Sequence, residues 1–292
     1  GLGDVYKRQV LYWIGEGVGI FRVDNPHTKP LPFWEWLIRE VQRRHPETIF
    51  LAEAFTRPKM MRALAKAGFT QSYTYFTWRV SKAELTEYGT ELAQGPAKEY
   101  FRPNFFTNTP DILPVHLQQG GRPAFRARLV LAATLSPVYG IYSGFELCEN
   151  RAIPDSEEYL HSEKYEYKVW DWDRPGHIKD DIARLNRLRR DNPALHHLAN
   201  LRFHPADDPQ VLFYGKSSED GANHIFVAVN LDPFAAHAAE IEFPLAEMGI
   251  AAAETFTAVE LFTGQEHRWR GARQRLTLDP GTNPAAIFRI AR

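Results

Sequence analysis

Hydrophobic and polar positions fall into two textures along the chain, changing near Leu195. From Val10 to about Asn192, short apolar runs alternate with stretches of helical period, as successive strands and helices do. The first run, Val18 to Val23, ends at Asp24. The helix predicted from Pro32 sets Phe33, Trp36, Leu37 and Val41 on one face. Ile49 to Glu53 is the second run, followed by a helix from Pro58 that Gly68 stops. Gln71 to Phe76 is the third, and Ser81-Lys-Ala-Glu84 is a capping box opening the next helix. Asn104 to Thr109 precedes a helix from Arg122 to Leu135. Pro137 to Tyr142 precedes a long excursion and a last helix with Ile178, Ile182, Leu185 and Leu188 in phase. Five strand-then-helix units in a row predict a parallel α/β sheet, as a doubly wound sheet or a (β/α)8 barrel.

Beyond Leu195 the runs are shorter and bounded by turn residues. Val211–Lys216, His224–Leu231, Ala239–Phe243, Thr257–Phe262, Arg275–Leu278 and Ala285–Ile290 read as strands of an antiparallel β-sandwich. Ile225, Val227 and Val229 alternate with Phe226 and Ala228, so that strand is apolar on both faces. The first nine residues lack an initiator Met and match no pattern that follows. They are set aside from the fold as a non-native lead, leaving 10–195 as the β/α part and 196–292 as the sandwich.

The charge balance, 35 Lys plus Arg against 36 Asp plus Glu in 292 residues, carries no electrostatic footprint for nucleic acid or an anionic membrane. No stretch approaches the apolar length of a membrane span. A single cysteine, Cys148, excludes an internal disulfide framework and a Cys-based zinc cluster, and phosphate-cradling Gly-rich loops are missing. Aromatic residues at 13% suit either a large core or sugar-stacking platforms.

Chemistry concentrates where the predicted parallel strands end. Asp24, Glu53 and Asp111 lie at or just past three C-terminal strand ends, the face on which parallel barrels build active sites. One acid in such a place is more often a helix cap or a solvated loop residue. Three from separate strands are harder to explain that way. Arg22 stands two residues before Asp24, on the same face, where it would keep that carboxylate ionised and fixed, as a nucleophile requires; a plain structural ion pair is the alternative. The apolar run before Glu53 would desolvate it and raise its pKa, the tuning of a general acid.

Three segments, Gly19-Ile-Phe-Arg22-Val-Asp24, Leu51-Ala-Glu53-Ala and Phe105-Phe-Thr-Asn-Thr-Pro-Asp111, resemble the last three of the four sequence regions of the α-amylase superfamily. The resemblance implies a nucleophile at Asp24, a general acid/base at Glu53 and a transition-state stabiliser at Asp111. It also implies that 10–195 is the second half of a (β/α)8 TIM barrel, about strands 4–8, with the C-terminal sandwich usual in the superfamily. The chain departs from ordinary amylases at Asp24-Asn-Pro-His-Thr-Lys-Pro30 and at Pro110. With Glu146-Leu-Cys-Glu-Asn150, Ser162-Glu-Lys-Tyr165 and Asp171-Trp-Asp-Arg-Pro175, these variants resemble the α-1,4-glucan:maltose-1-phosphate maltosyltransferase subgroup.

That subgroup implies a retaining glycosyltransferase that moves maltosyl units from α-maltose-1-phosphate to the non-reducing end of an α-1,4-glucan, releasing phosphate. Retention implies carboxyl groups about 5–5.5 Å apart. Asn25 resembles a donor-phosphate contact, or is a turn-forming Asn. Lys164 and Tyr165 resemble residues gripping the far glucose ring, or are solvated loop residues. Lys29 is a phosphate or acceptor candidate, with a structural pairing the stronger reading. His116 and Cys148 are packing or hydrogen-bonding groups. No cofactor and no metal are expected, the amylase calcium site lying largely outside this segment. The partners implied are maltose-1-phosphate and α-1,4-glucan, without nucleic acid or membrane, in a cytoplasmic homodimer. An amylase-type hydrolase shares the three acids and is the first alternative; a non-catalytic carbohydrate-binding relative would have lost one. Five strands do not close an eight-stranded barrel, so the isolated segment is expected to be inactive.

Overall fold

A computed structural model describes residues 1–291. The chain divides into two compact units, one of residues 1–75 and 94–104, the other of 76–93 and 105 onward.

The first unit holds α1 (Leu2–Gly15), β1 (Ile20–Asp24), α2 (Leu31–Gln42), β2 (Ile49–Glu53), α3 (Pro58–Lys66) and β3 (Gln71–Tyr73). It also holds the first half of β4 (Pro103–Phe106). β1 pairs with β2, β2 with β3 and β3 with the start of β4, all parallel. Pro at the first turn opens α2 and α3, where its missing N–H costs nothing. Gly68 ends α3's segment at φ +115°, with room for a Cβ only 3.1 Å from Ile38.

α2 packs through Trp34, Leu37, Ile38 and Val41 onto Phe50, Ala52 and Leu64. Burial of such side chains contributes roughly 1.5–3 kcal/mol each. This face is turned from the one read in the sequence. Phe33 and Trp36 instead meet α1, Phe33 edge-on to Tyr6 at 5.8 Å and Trp36 beneath the Lys7 ammonium at 5.0 Å. Of residues 1–9, set aside at the level of pattern, Gly1 caps that helix and the other eight are part of it. α1 buries no residue fully and is held by these contacts and by Lys7–Glu40 at 3.6 Å.

The second unit begins with α4 (Lys82–Gln94), whose capping box is formed: Ser81 N–H donates to Glu84 Oε2 at 3.0 Å and Glu84 N–H to Ser81 Oγ at 3.3 Å. The second half of β4 pairs in parallel with β5 (Tyr139–Gly140). α5 (Val115–Leu135) breaks at Gly121, where φ is +52° and Pro123 follows, so its continuous part begins close to Arg122 as the pattern predicts. α6 (Lys179–Asp191) follows the long excursion and stops before Pro193.

The remaining strands are β6 (Arg202–His204), β7 (Val211–Ser217), β8 (His224–Asn230), β9 (His237–Glu242), β10 (Thr255–Glu260), β11 (Glu266–Arg270), β12 (Arg273–Leu278) and β13 (Ala285–Ala291). They form an antiparallel sheet in the order β11-β10-β13-β8-β7-β6 and a two-stranded sheet of β12 and β9. Phe213, Phe226, Phe243, Phe256 and Phe288 share one core. β6 and β11 were not foreseen. Both lie at sheet edges and read Arg-Phe-His and Glu-His-Arg-Trp-Arg, too short or too polar to stand out. β7 and β8 are buried on both faces, as expected for β8. The second face of β7 lies against α5: Tyr214 Oη is 2.7 Å from Thr134 Oγ1, and Lys216 Nζ donates to Leu135 O at 3.4 Å. Arg189 from α6 donates to the carbonyls of Ala133, Ser136 and Pro137, so two cations cap the C-terminus of α5. No helix among the described residues is long and apolar enough to cross a membrane.

Candidate active site

Parallel pairing sets Asp24 and Glu53 side by side at the ends of β1 and β2, in direct register. Strands so paired lie about 4.8 Å apart, which brings the two carboxylates onto one rim. Arg22, one pleat earlier on β1, reaches both: 3.6 Å to Asp24 and 3.4 Å to Glu53. The pairing expected with Asp24 is therefore a shared one. The environments of the two acids differ sharply, the Asp24 side chain being 68% exposed and that of Glu53 8%.

Asn25 adopts the left-handed conformation (φ 43°, ψ 53°), which Asn tolerates better than most residues. Its N–H donates to Glu53 O at 2.9 Å and its Nδ2 to Asp24 Oδ1 at 2.8 Å. The turn and the restraint on Asp24 are thus built by the same residue. Lys29 lies 5.6 Å over the Tyr6 ring.

Tyr73, which sequence reasoning passed over, joins this group. It ends β3 as Asp24 and Glu53 end their strands, and that strand-end position was the available signal. Its hydroxyl is bonded to Arg22, and burial pushes its pKa above the ordinary tyrosine value.

In the second unit, Asp111 follows β4 with its N–H on Thr109 Oγ1 at 3.2 Å. Lys164 donates from Nζ to its carboxylate, and that bond holds the Lys164 pKa above its usual value. The ammonium also sits 5.2 Å from the ring of Tyr165, which is 74% exposed. Asp111 and Lys164, predicted from separate motifs, are thus brought together. Beside them Tyr142 donates to Glu163 at 3.1 Å; burial and that carboxylate push it up to about 12. Glu163 also accepts from Trp170 Nε1 at 2.9 Å. Asn108 is fully buried and accepts from Tyr142 N–H at 2.8 Å. Asn108 and Glu163 lie inside quoted motifs but were given no role there, and Tyr142 was read only as the end of an apolar run. Cys148 has a thiol pushed up to about 11 by burial, a group poor in thiolate. Among the described residues no group of three or more His, Cys, Asp or Glu could hold a metal ion.

The half-barrel with acids at its strand ends, followed by an antiparallel β domain, is an α-amylase-type fold. The chain superposes on α-amylase from Geobacillus thermoleovorans with a TM-score of 0.74 at 16% identity, covering all of this chain and 63% of that one. A cyclomaltodextrinase gives 0.71 at 19% identity over 96% of this chain and 47% of that one. Residues 203–290 match the family described as GLGE, C-terminal. Over 279 residues, 96% of its length, the chain is 61% identical to the α-1,4-glucan:maltose-1-phosphate maltosyltransferase of Rhodospirillum rubrum, and over 281 residues 54% identical to that of Cereibacter sphaeroides. Over almost all of its length the chain is thus similar to these maltosyltransferases. It spans about two fifths of the length of those relatives, 41% and 42%.

Proposed function

We propose that the protein to which this chain belongs transfers maltosyl units from α-maltose-1-phosphate to the non-reducing end of an α-1,4-glucan, with retention of configuration. The observation that carries the chemistry is the in-register pair Asp24 and Glu53, one exposed and one buried, sharing the Arg22 guanidinium. Adjacent carboxylates suit double displacement rather than inversion, which needs room for a water between them.

Asp24 attacks the anomeric carbon while Glu53 gives its proton to the departing phosphate oxygen, leaving a β-maltosyl ester on Asp24. Glu53 then takes the proton of the acceptor 4-hydroxyl as that oxygen displaces Asp24, and the α linkage is restored. Arg22, ion-paired to Asp24 at 3.6 Å, fixes that carboxylate for the attack. Asn25 fixes the unused Asp24 oxygen and lies on the phosphate side. Asp111 stabilises the developing charge through the donor hydroxyls. Lys164 and Tyr165 bind the second glucose, which makes the transferred unit a disaccharide. The protein acts in the cytoplasm as a homodimer, with glucan and sugar phosphate as its partners.

The test is incubation of the full-length protein with maltose-1-phosphate and glycogen. Phosphate release with glucan growing in steps of two glucoses is expected, and Asp24→Asn should abolish both. Glucan shortening without phosphate release would instead establish a hydrolase.

A further inference from the structure

Within the second unit, between α5, the segment leading into α4 and the turn after β8, lies a cavity of about 50 Å³. A water occupies about 10–15 Å³ in the same measure, so the space exceeds one water. Its walls are mostly aliphatic, among them Val80, Ala127, Leu131 and Pro233, and two polar side chains interrupt them, Arg128 and His116.

Arg128 is 2% exposed. Its terminal nitrogens donate to the carbonyls of Arg79, at 2.7 Å, and Phe76, and its guanidinium lies 3.5 Å from the centre of the Phe76 ring. Its Nε–H finds no acceptor, and the buried Nε2 of His116 no partner, among the described residues. No carboxylate neutralises Arg128 there either. Burial alone pushes it down to about 9, and burial with this neighbouring cation pushes His116 well below its ordinary value. A buried cation with an unpaired N–H, beside an unpaired imidazole nitrogen that donates in one of its two tautomers, is complementary to a negative charge.

We propose that this cavity binds a weakly hydrated monovalent anion of the halide class, held by Arg128 Nε–H and His116 Nε2–H. Two donors and aliphatic walls suit an ion that gives up its water easily. Phosphate, with four oxygens to satisfy, would lose more hydrogen bonds than the site returns. The bound ion neutralises Arg128, which fixes the Phe76–Arg79 segment at the entry to α4. His116, read in the sequence as a packing or hydrogen-bonding group, becomes a ligand.

Crystals of the protein soaked in sodium bromide should show anomalous density bridging Arg128 Nε and His116 Nε2. In solution, exchanging gluconate for bromide at constant ionic strength should raise Tm. Because Arg128→Leu also strips two carbonyl contacts, His116→Leu is the decisive variant. It should fold and lose roughly tenfold or more in bromide affinity, as deletion of one hydrogen bond to a charged group does. Density for water alone, an equal bromide response in His116→Leu, or phosphate in place of bromide would each overturn the assignment.

Discussion

Replacing Lys216 by Met should stabilise the protein at pH 6, and the gain should shrink as pH rises. Lys216 is 2% exposed, and its ammonium donates to Leu135 O at 3.4 Å, with Arg189 adding a second positive charge. Burial and that charge push its pKa from 10.5 down to about 7. The gap corresponds to about 5 kcal/mol spent holding the charged form inside the fold. Met fills a similar volume without the charge, and leaving Leu135 O without its donor costs about 1–3 kcal/mol. A net gain of about 2–4 kcal/mol at pH 6 follows.

Between pH 7 and 10.5 the folded wild type has shed a proton that its unfolded chain still carries. Wild-type stability therefore rises with pH, by up to about 1.4 kcal/mol for each pH unit relative to the variant. Urea unfolding followed by circular dichroism at pH 6, 8 and 9.5 measures both quantities. Parallel pH profiles for the two proteins would refute the reasoning, because a lysine that stays charged throughout contributes no slope.

In the full-length protein, Arg22→Met should lower kcat for maltosyl transfer about 100-fold or more, because Asp24 and Glu53 lose their shared cation; initial rates of phosphate release check it. Ser81→Ala should cost about 1 kcal/mol in urea unfolding. The Ser81 bonds hold Glu84 below the ordinary carboxylate value, so that contribution is present above about pH 4.5 and disappears as acid protonates Glu84 in the folded state. His237 donates to Asp208 and Asp232, which raise its pKa, so its contribution is full below pH 6.5 and is lost as pH rises through the folded value. A histidine NMR titration should place His237 above 6.5, and a midpoint below that would contradict the pairing.

Much of this architecture was legible because period and punctuation agree. β2 runs from Ile49 to Glu53 as its apolar run does, and the Ser81–Glu84 box closes as written. The amphipathic face of α2 was misread because aromatic residues ring that helix. Trp34 faces the strands while Phe33 and Trp36 meet α1, and only the position of α1 decides between them. The strand-end rule picked out Asp24 and Glu53 but not their common partner. Arg22 was legible as a neighbour of Asp24 in sequence, whereas its reach to Glu53 depends on the register of two strands 29 residues apart, which no local pattern encodes. Tyr73 sits at the same rim, and its phenol drew no attention beside carboxylates. Lys164 and Asp111 are 53 residues apart, with α5 and β5 between them, and Lys164 itself stands in an excursion without period.

Because β7 is buried on both faces, the antiparallel sheet is not an interchangeable cassette. A segment cut at 196–292 would carry Tyr214 and Lys216 into solvent on a face shaped for α5. Grafting a sandwich from a distant relative would set a foreign strand against Thr134 and Leu135. In this lineage the helix ending at Leu135 and the strand from Val211 must vary together, so recombination breakpoints between them should be rare and chimaeras joined near Leu195 should express poorly.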